Sequence, residues 1–333
     1  MYKVSVIILN WNGENWLKKF LPSIIANTNA TLANIIVADN NSTDNSIKLL
    51  IEEFPDVKLI QFDKNYGFAA GYNKAIEEVT SEIVVLLNSD VEVSPFWLEP
   101  LIETLDSSDK IVAVQPKIKA WKNKNYFEYA GASGGFIDVY GFPFCRGRIV
   151  DTTEEDIGQY DDIREVFWCS GAALVIKRDA YIEIGGLDQN FFAHMEEIDL
   201  CWRLRNKGAK LMVCPKSTVY HYGGGSLPMN HPHKLYLNYR NNLLMMYKNL
   251  SAQEWKKLIL IRMCIDFASA LFFFIKGERK NACAVIKAYR DFYKFKQQYA
   301  HNTEKSNRSL IYKRCILFQY FVKKNKIFSI LQR

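Results

Sequence analysis

The sequence predicts an α/β fold, a mostly parallel central sheet flanked by helices, followed by a C-terminal α-helical extension. Three observations point there. Over the first hundred or so residues, short apolar runs alternate with longer amphipathic ones, so strand and helix take turns. The runs Val4 to Leu9, Ile35 to Ala38 and Ile83 to Leu87 are unbroken and rich in β-branched residues, as strands covered on both faces are. After residue 235 the chain becomes basic, aromatic and helical, which divides it into a domain over 1–235 and a helical region over 236–333.

The elements follow in order. "KVSVIIL" opens as a strand and "GENWLKKFLPSIIAN" follows as a helix; "NIIVADN" and "STDNSIKLLIEEF", then "VKLIQFD" and "GFAAGYNKAIEEV", repeat the pair before the strand "EIVVLLNSD". Residues 120–165 carry "GASGGF" and "GFPFCRGR" and are expected to form a hairpin or flap. A strand "FWCSGAALVIKRD" leads through the turn "IGGLD" to a helix "EEIDLCWRLRNKG" that Gly208 ends. The strand "KLMVCP" then precedes "TVYHYGGGS". The most apolar stretch, "LILIRMCIDFASALFFFI", is interrupted by Arg262 and Asp266, which favours an interfacial or packed helix over a clean membrane span.

Composition narrows the function classes. At 333 residues and 49% hydrophobic, the chain can bury a large core and is not a disordered protein. Its seven cysteines are odd in number and show no CxxC spacing, so a reducing, cytoplasmic setting is expected. The opening apolar run turns polar at Asn10, which suits a buried strand better than a signal peptide. Charge is divided unevenly: residues 231–333 hold 21 Lys and Arg against 5 Asp and Glu, net +16, leaving net −9 for the rest. Such a basic end suits the anionic inner face of the cytoplasmic membrane. No helix-turn-helix, zinc-finger or RNA-recognition signature supports nucleic acid as the partner. The competing reading of these helices is a bundle packed on the first domain or on a second copy in a homodimer.

In open α/β sheets ligands sit outside the carboxyl ends of the strands, and here those ends are polar: Asn10 and Asn12, Asp39 to Asn41, Asp63 to Asn65, Asn88 to Asp90. Asp39 is placed to accept an imide N–H of a pyrimidine base, while Ser42 or Thr43 reads as a helix cap. Gly67, Ala70 and Gly71 let backbone approach a ligand, but neither GxGxxG nor GxxxxGK[ST] is present, which argues against a dinucleotide dehydrogenase and a P-loop enzyme. Asp90 can bind a hard cation whose shell diphosphate oxygens complete, with His221 as a second ligand; the bland readings are a turn and a structural histidine. Glu196 and Glu197 either favour the helix dipole or include a general base for a hydroxyl nucleophile. Asp199 and Arg203, four apart, read as an ion pair on one helix face.

Together these segments resemble the family 2 glycosyltransferases with the GT-A fold, particularly the rhamnosyltransferase-like bacterial members that build surface polysaccharides. The resemblance covers roughly residues 3–225 and rests on "VSVIILNWNG", "VADNNSTDNS", "NYGFAAGYNKA", "LLNSD", "GAALVIKRDAYIEIGGLDQNFF", "EEIDLCWRLRNKG" and "VYHYGGGS" in that order. It implies that Asp39 binds the nucleotide base with Asn10, Asn12 and Glu14 around it, and that Asn65, Gly67 and Asn73 lie near ribose and diphosphate. The DXD motif falls on "NSD", so Asn88 and Ser89 would touch the nucleotide sugar and Asp90 would hold Mg²⁺ or Mn²⁺ with His221. Asparagine stands where the first aspartate of that motif often does. The ED pair falls on Glu196 and Glu197, with Glu197 at the base position although glutamate replaces aspartate. Gly171 and Ala172 would border the sugar phosphate and Trp168 the sugar or acceptor. The implied reaction is a single displacement with inversion, from a dTDP- or UDP-sugar to a saccharide or lipid-linked acceptor. A nucleotidyltransferase would need a glycine- and arginine-rich loop that "LNWNGENW" lacks; the alternative of a silent nucleotide-sugar- or glycan-binding module stays open, with the acidic pair, Asp90 and His221 speaking against it.

Overall fold

The computed structural model describes residues 2–223, 231–304 and 306–331. Its first part runs β1 (Val4–Asn10), α1 (Glu14–Asn27), β2 (Ala33–Asp39), α2 (Ser46–Glu53), β3 (Lys58–Gln61), α3 (Gly67–Glu77) and β4 (Ile83–Asn88), the alternation expected. There follow β5 (Val91–Val93), α4 (Glu99–Asp106), β6 (Ile111–Ala120) and β7 (Asn123–Phe127). β3, β2, β1 and β4 lie parallel, with Asn10 opposite Asp39 and Leu9 opposite Asn88. Side chains alternate across these strands. Val4, Val6 and Ile8 pack with Leu17 and Leu21 of α1 and Leu101 of α4, while Ile7 faces the other layer with Tyr72 and Ile76 of α3.

Of the hairpin or flap expected over residues 120–165, hairpins form. The segment folds into β8 (Gly135–Ile137), β9 (Pro143–Cys145), β10 (Arg148–Ile149) and β11 (Thr152–Thr153), a small sheet whose Phe136, Phe144 and Ile149 join the main core. Of the run from Phe167 expected as one strand, only β13 (Ala173–Lys177) is strand; β12 (Arg164–Val166) precedes the run, and α5 (Arg178–Glu183) follows β13, too short to show a helical period. α6 (Glu196–Asn206) ends as expected: Gly208 sits at φ 86° and the Ala209 N–H donates to the Leu204 carbonyl. β14 (Lys210–His221) joins "KLMVCP" to "TVYH" across a bulge between Cys214 and Thr218. β13 runs antiparallel between β4 and β6, so the sheet is parallel in its first half and mixed beyond it.

The helical region is α7 (Pro232–Asn249), α8 (Ala252–Ile275), α9 (Arg279–Phe295), α10 (Ile316–Phe321) and α11 (Phe328–Leu331). Because α7 begins at Pro232, the boundary expected at 235/236 falls inside a helix and is corrected. The later segment returns to the first domain: the Tyr312 N–H donates to the Ile137 carbonyl, the Ile316 N–H to Asp138, and the Phe328 ring stacks among Phe136, Phe144 and Tyr160. These helices complete one body rather than forming a second one.

Candidate active site

The carboxyl ends of β1, β2 and β4 bring the first group together. Asp39 is fully buried; its carboxylate accepts from Asn10 Nδ2 at 2.8 Å, from the Ser42 N–H at 2.8 Å and from Ser42 Oγ at 2.6 Å. Three of its roughly four acceptor positions are thus filled, and one remains for a ligand donor. Beside it Asn10 Oδ1 is buried with no partner in the protein, and a Cβ at residue 13 would come within 2.3 Å of it, so glycine there leaves that acceptor room. Asn12, at φ 50°, accepts from the Thr43 N–H, and Glu14 Oε2 accepts from Asn45 Nδ2 at 3.3 Å, so both shape the rim. The capping role expected of Ser42 or Thr43 is not found: α2 starts later, at Ser46, and Ser42 serves Asp39 instead.

Asn40, one of the polar residues at the end of β2, arranges the next part of the rim. Buried at the end of β2, it donates to Asn65 Oδ1 and the Gly67 carbonyl and accepts from the Tyr66 N–H. Gly67 needs its φ of 76° for that turn. Gly71 serves packing rather than a ligand, since a Cβ there would lie 2.8 Å from Leu9 Cδ1. Asn73 is a correction too. Its amide clamps the 186–187 turn, donating to the Leu187 carbonyl and accepting from the Leu187 N–H and Tyr181 Oη, which leaves little of it for a diphosphate.

At the far side, β14 pairs with β5 so that His221 stands opposite Val91, and the Tyr222 N–H donates to the Asp90 carbonyl. His221 Nε2 lies 3.1 Å from Asp90 Oδ1 and 3.4 Å from Asn88 Nδ2, with Ser89 in the turn between them in sequence. On the other edge of the ring, Nδ1 lies 3.3 Å from Glu128 Oε2. Burial disfavours charge on the imidazole, but the two carboxylates outweigh it and push its pKa up to about 10. Burial likewise raises Asp90, and His221 overrides it and holds the carboxyl below its usual range. Two ligands of an octahedral cation at about 2.1 Å stand about 3 Å apart, so once a cation displaces the Nε2 proton, the spacing and the oxygen and nitrogen donors of Asp90 and His221 fit Mg²⁺ or Mn²⁺. Among the described residues no third His, Cys, Asp or Glu completes a metal-binding group. Glu128 instead stands at the ring edge from which a carboxylate orients a ligand histidine, here as an ion pair without hydrogen-bond geometry to Nδ1. Its only sequence signal is a lone acid in "YFEYAG". Gly224 to Ser226 of the "HYGGGS" motif lie outside the described residues.

The third group is at the start of α6. Gly171 lies against Glu197, with a Cβ there only 3.6 Å from Glu197 Cβ, and the Ala172 carbonyl accepts from the Asn88 N–H at 3.0 Å. Glu197 therefore adjoins the strand end that carries Asp90. Neither Glu196 Oε2 nor Glu197 Oε2 has a partner. Burial raises both carboxyls: Glu196 goes well above its normal range, helped by the Glu197 charge, while backbone N–H groups at the helix start limit Glu197 to about 7. Trp168, expected beside the sugar, is corrected: it is buried under residue 135, and its indole N–H donates to the Phe136 carbonyl. Asp199 forms the expected ion pair with Arg203 at 2.8 Å and also meets Lys248.

The segment leading into α6 is strained, with Phe192, His194 and Met195 at φ 66°, 70° and 74°. α7 holds it there. Asn241 Nδ2 lies within 2.8 to 2.9 Å of the Phe191, Ala193 and His194 carbonyls, and Arg240 donates to those of Asn190 and Phe191. Residues of the helical region thus set the acidic pair, which no sequence motif announced. Asn241→Ala is expected to lower kcat by up to ~10²-fold through misplacement of Glu197, with nucleotide affinity unchanged by calorimetry.

Residues 5–185 match the family model described as glycosyl transferase family 2. The N-acetylglucosaminyl-diphospho-decaprenol L-rhamnosyltransferase of Mycobacterium tuberculosis is 25% identical over 234 residues, 66% of this chain and 76% of that one. Rhamnosyltransferase WbbL of Escherichia coli is 26% identical over 235 residues, 66% of this chain and 83% of its own. Among solved structures, GalNAc-T7 with UDP, GalNAc and Mn²⁺ superposes with a TM-score of 0.61 at 18% identity, over 78% of this chain and 50% of that one, a likeness of fold. The family match reaches from β1 to the turn after α5, more than half of the chain, over the same sheet whose strand ends carry Asp39 and Asp90; the protein belongs to glycosyl transferase family 2 and is an enzyme with the GT-A fold.

Proposed function

We propose that the protein transfers a sugar, L-rhamnose before other hexoses, from a dTDP- or UDP-sugar to a hydroxyl of a saccharide or lipid-linked saccharide, with inversion at the anomeric carbon. The setting is cell-surface polysaccharide synthesis at the inner face of the cytoplasmic membrane. The observation that carries this reading is Glu197: an unpartnered carboxylate oxygen with its pKa pushed up to about 7, beside Gly171, whose neighbour Ala172 bonds the end of β4 that leads to Asp90. The names of the mycobacterial and E. coli relatives support rhamnose, and the diphospho-decaprenol in the former supports a lipid-linked acceptor.

In this mechanism Asp39 and the unpartnered Asn10 oxygen receive N–H groups of the base. Asn65 and the Gly67 turn border the ribose and diphosphate, while Gly171 leaves space for the sugar against Glu197. Glu197 takes the acceptor proton as the hydroxyl oxygen bonds the anomeric carbon and the bond to the diphosphate breaks on the opposite face. Glu196, neutral through burial, leaves the pair with a single charge to place. Asp90 and His221 would hold a divalent cation, Mg²⁺ or Mn²⁺, which when bound would neutralise charge on the departing diphosphate.

Thermal stability measured with a panel of nucleotide sugars, with and without Mn²⁺, tests the donor assignment, because a ligand selective for the folded state raises its stability. The reading predicts the largest rise with dTDP-rhamnose plus Mn²⁺; no rise with any nucleotide diphosphate sugar contradicts it. Glu128→Gln is expected to weaken Mn²⁺ binding by ~10–100-fold, measured by the paramagnetic resonance of free Mn²⁺, since His221 loses the carboxylate that orients it.

A further inference from the structure

α8 is built inside out for a protein in water. The charged pair at its middle points inward: Arg262 and Asp266 are buried, paired at 2.9 Å, and tied to the Tyr140 carbonyl at 2.7 Å and the Tyr289 hydroxyl at 2.7 Å. Many of its large apolar residues point outward, although Trp255 is buried. Leu260, Leu271, Phe272, Phe274 and Ile275 are 53 to 75% exposed, and with Ile261 and Phe267 they form one ribbon at helical spacing. Aqueous surfaces rarely carry a contiguous apolar patch of that extent without an occupant. The two charges that interrupt the stretch in sequence are therefore no barrier to lipid on the outer face, because both are satisfied within the body.

The ends of the ribbon say what covers it. Lys256 and Lys257 are exposed before it, and Lys276, Arg279 and Lys280 are exposed after it, with Glu278 the single acid in that turn. Cations flanking an apolar face match the anionic headgroups and hydrocarbon of one leaflet. α8 is long and apolar enough to cross a bilayer. Crossing would carry α9, with exposed Lys280, Lys287, Arg290 and Lys294, into hydrocarbon as well, since α8 and α9 pack as a hairpin. An in-plane position avoids that cost.

We infer that the outer face of α8 lies in the plane of an anionic membrane, held chiefly by apolar insertion of Leu271, Phe272, Phe274 and Ile275 rather than by the basic charge of the helical region. This deepens the reading that the enzyme works at a membrane, and it rests on that reading. Attachment by charge alone would be reversed by salt, whereas apolar insertion persists.

The full chain is sedimented with phosphatidylcholine vesicles containing phosphatidylglycerol, at roughly 0.1 M and 1 M salt. The expected result is binding at both, with L271Q/F274Q/I275Q partitioning ~100-fold more weakly. These side chains are exposed, and circular dichroism of the triple variant checks that it folds. Complete release of the wild type by high salt, or undiminished binding of the folded triple variant, would overturn the inference. So would a lipid-free dimer that the triple change dissociates, because the ribbon would then face a second copy. Mn²⁺-dependent nucleotide binding on the same preparations keeps the tests apart: its loss sinks the transferase reading and leaves the vesicle result standing.

Discussion

Glu197→Gln is expected to reduce kcat by ~10²–10⁴-fold while donor affinity stays unchanged, the range that a positioned general base contributes. Glutamine keeps the shape of the side chain beside Gly171 and removes only its capacity to take a proton. The same residue dictates the pH dependence. Its carboxyl is pushed up to about 7, and the ionised form is the working one, so the rate falls as pH drops through 7 and then by tenfold per unit. Glu196→Gln is expected to keep most of the turnover, because glutamine imitates the protonated acid that burial enforces there. Steady-state rates of both variants between about pH 5 and 9 decide which glutamate is the base. A fully active Glu197→Gln would remove the assignment.

Arg262→Leu is expected to destabilise the fold by about 3–5 kcal/mol, since it leaves Asp266 buried with the Tyr289 hydroxyl and without its cation. Arg262 also donates to Asn242 Oδ1 and the Tyr140 carbonyl, so the change unpairs acceptors from two other elements. Arg262→Leu with Asp266→Leu should regain much of the loss, because the uncompensated charge goes too. Denaturant midpoints of the two single variants and the double variant measure the coupling. Additive effects would mean that the pair is not the buried unit described.

The N-terminal half of the fold was legible because strands buried on both faces write themselves as unbroken β-branched runs and their helices as amphipathic ones. The same pattern put Asn10, Asp39 and Asp90 at one edge, since polar residues closing such runs mark the carboxyl ends of a parallel sheet. The strand insertion of β13, the bulge in β14 and the small sheet of β8 to β11 were not legible: two- to five-residue strands carry too short a pattern, and pairing partners far along the chain leave no local signal. Asn73 sits in a segment that resembles the family and Trp168 three residues before another, yet one clamps a turn and the other fills the core, because proximity in sequence to a site does not fix the direction of a side chain. Glu128 and Asn241 carry no sequence signal for the converse reason. Each acts through contacts formed only after folding, and a lone acid or amide reads like any surface residue.

Isothermal titration of a nucleotide diphosphate sugar, with and without Mn²⁺, against wild type, Asp39→Ala and Asp90→Ala tests most directly whether these residues share one cleft. Convergence predicts that Mn²⁺ tightens donor binding in wild type, that Asp39→Ala weakens affinity while keeping the Mn²⁺ effect, and that Asp90→Ala abolishes that effect. Donor binding indifferent to Mn²⁺ in wild type, or unchanged by Asp39→Ala, would contradict a single site at the top of this sheet.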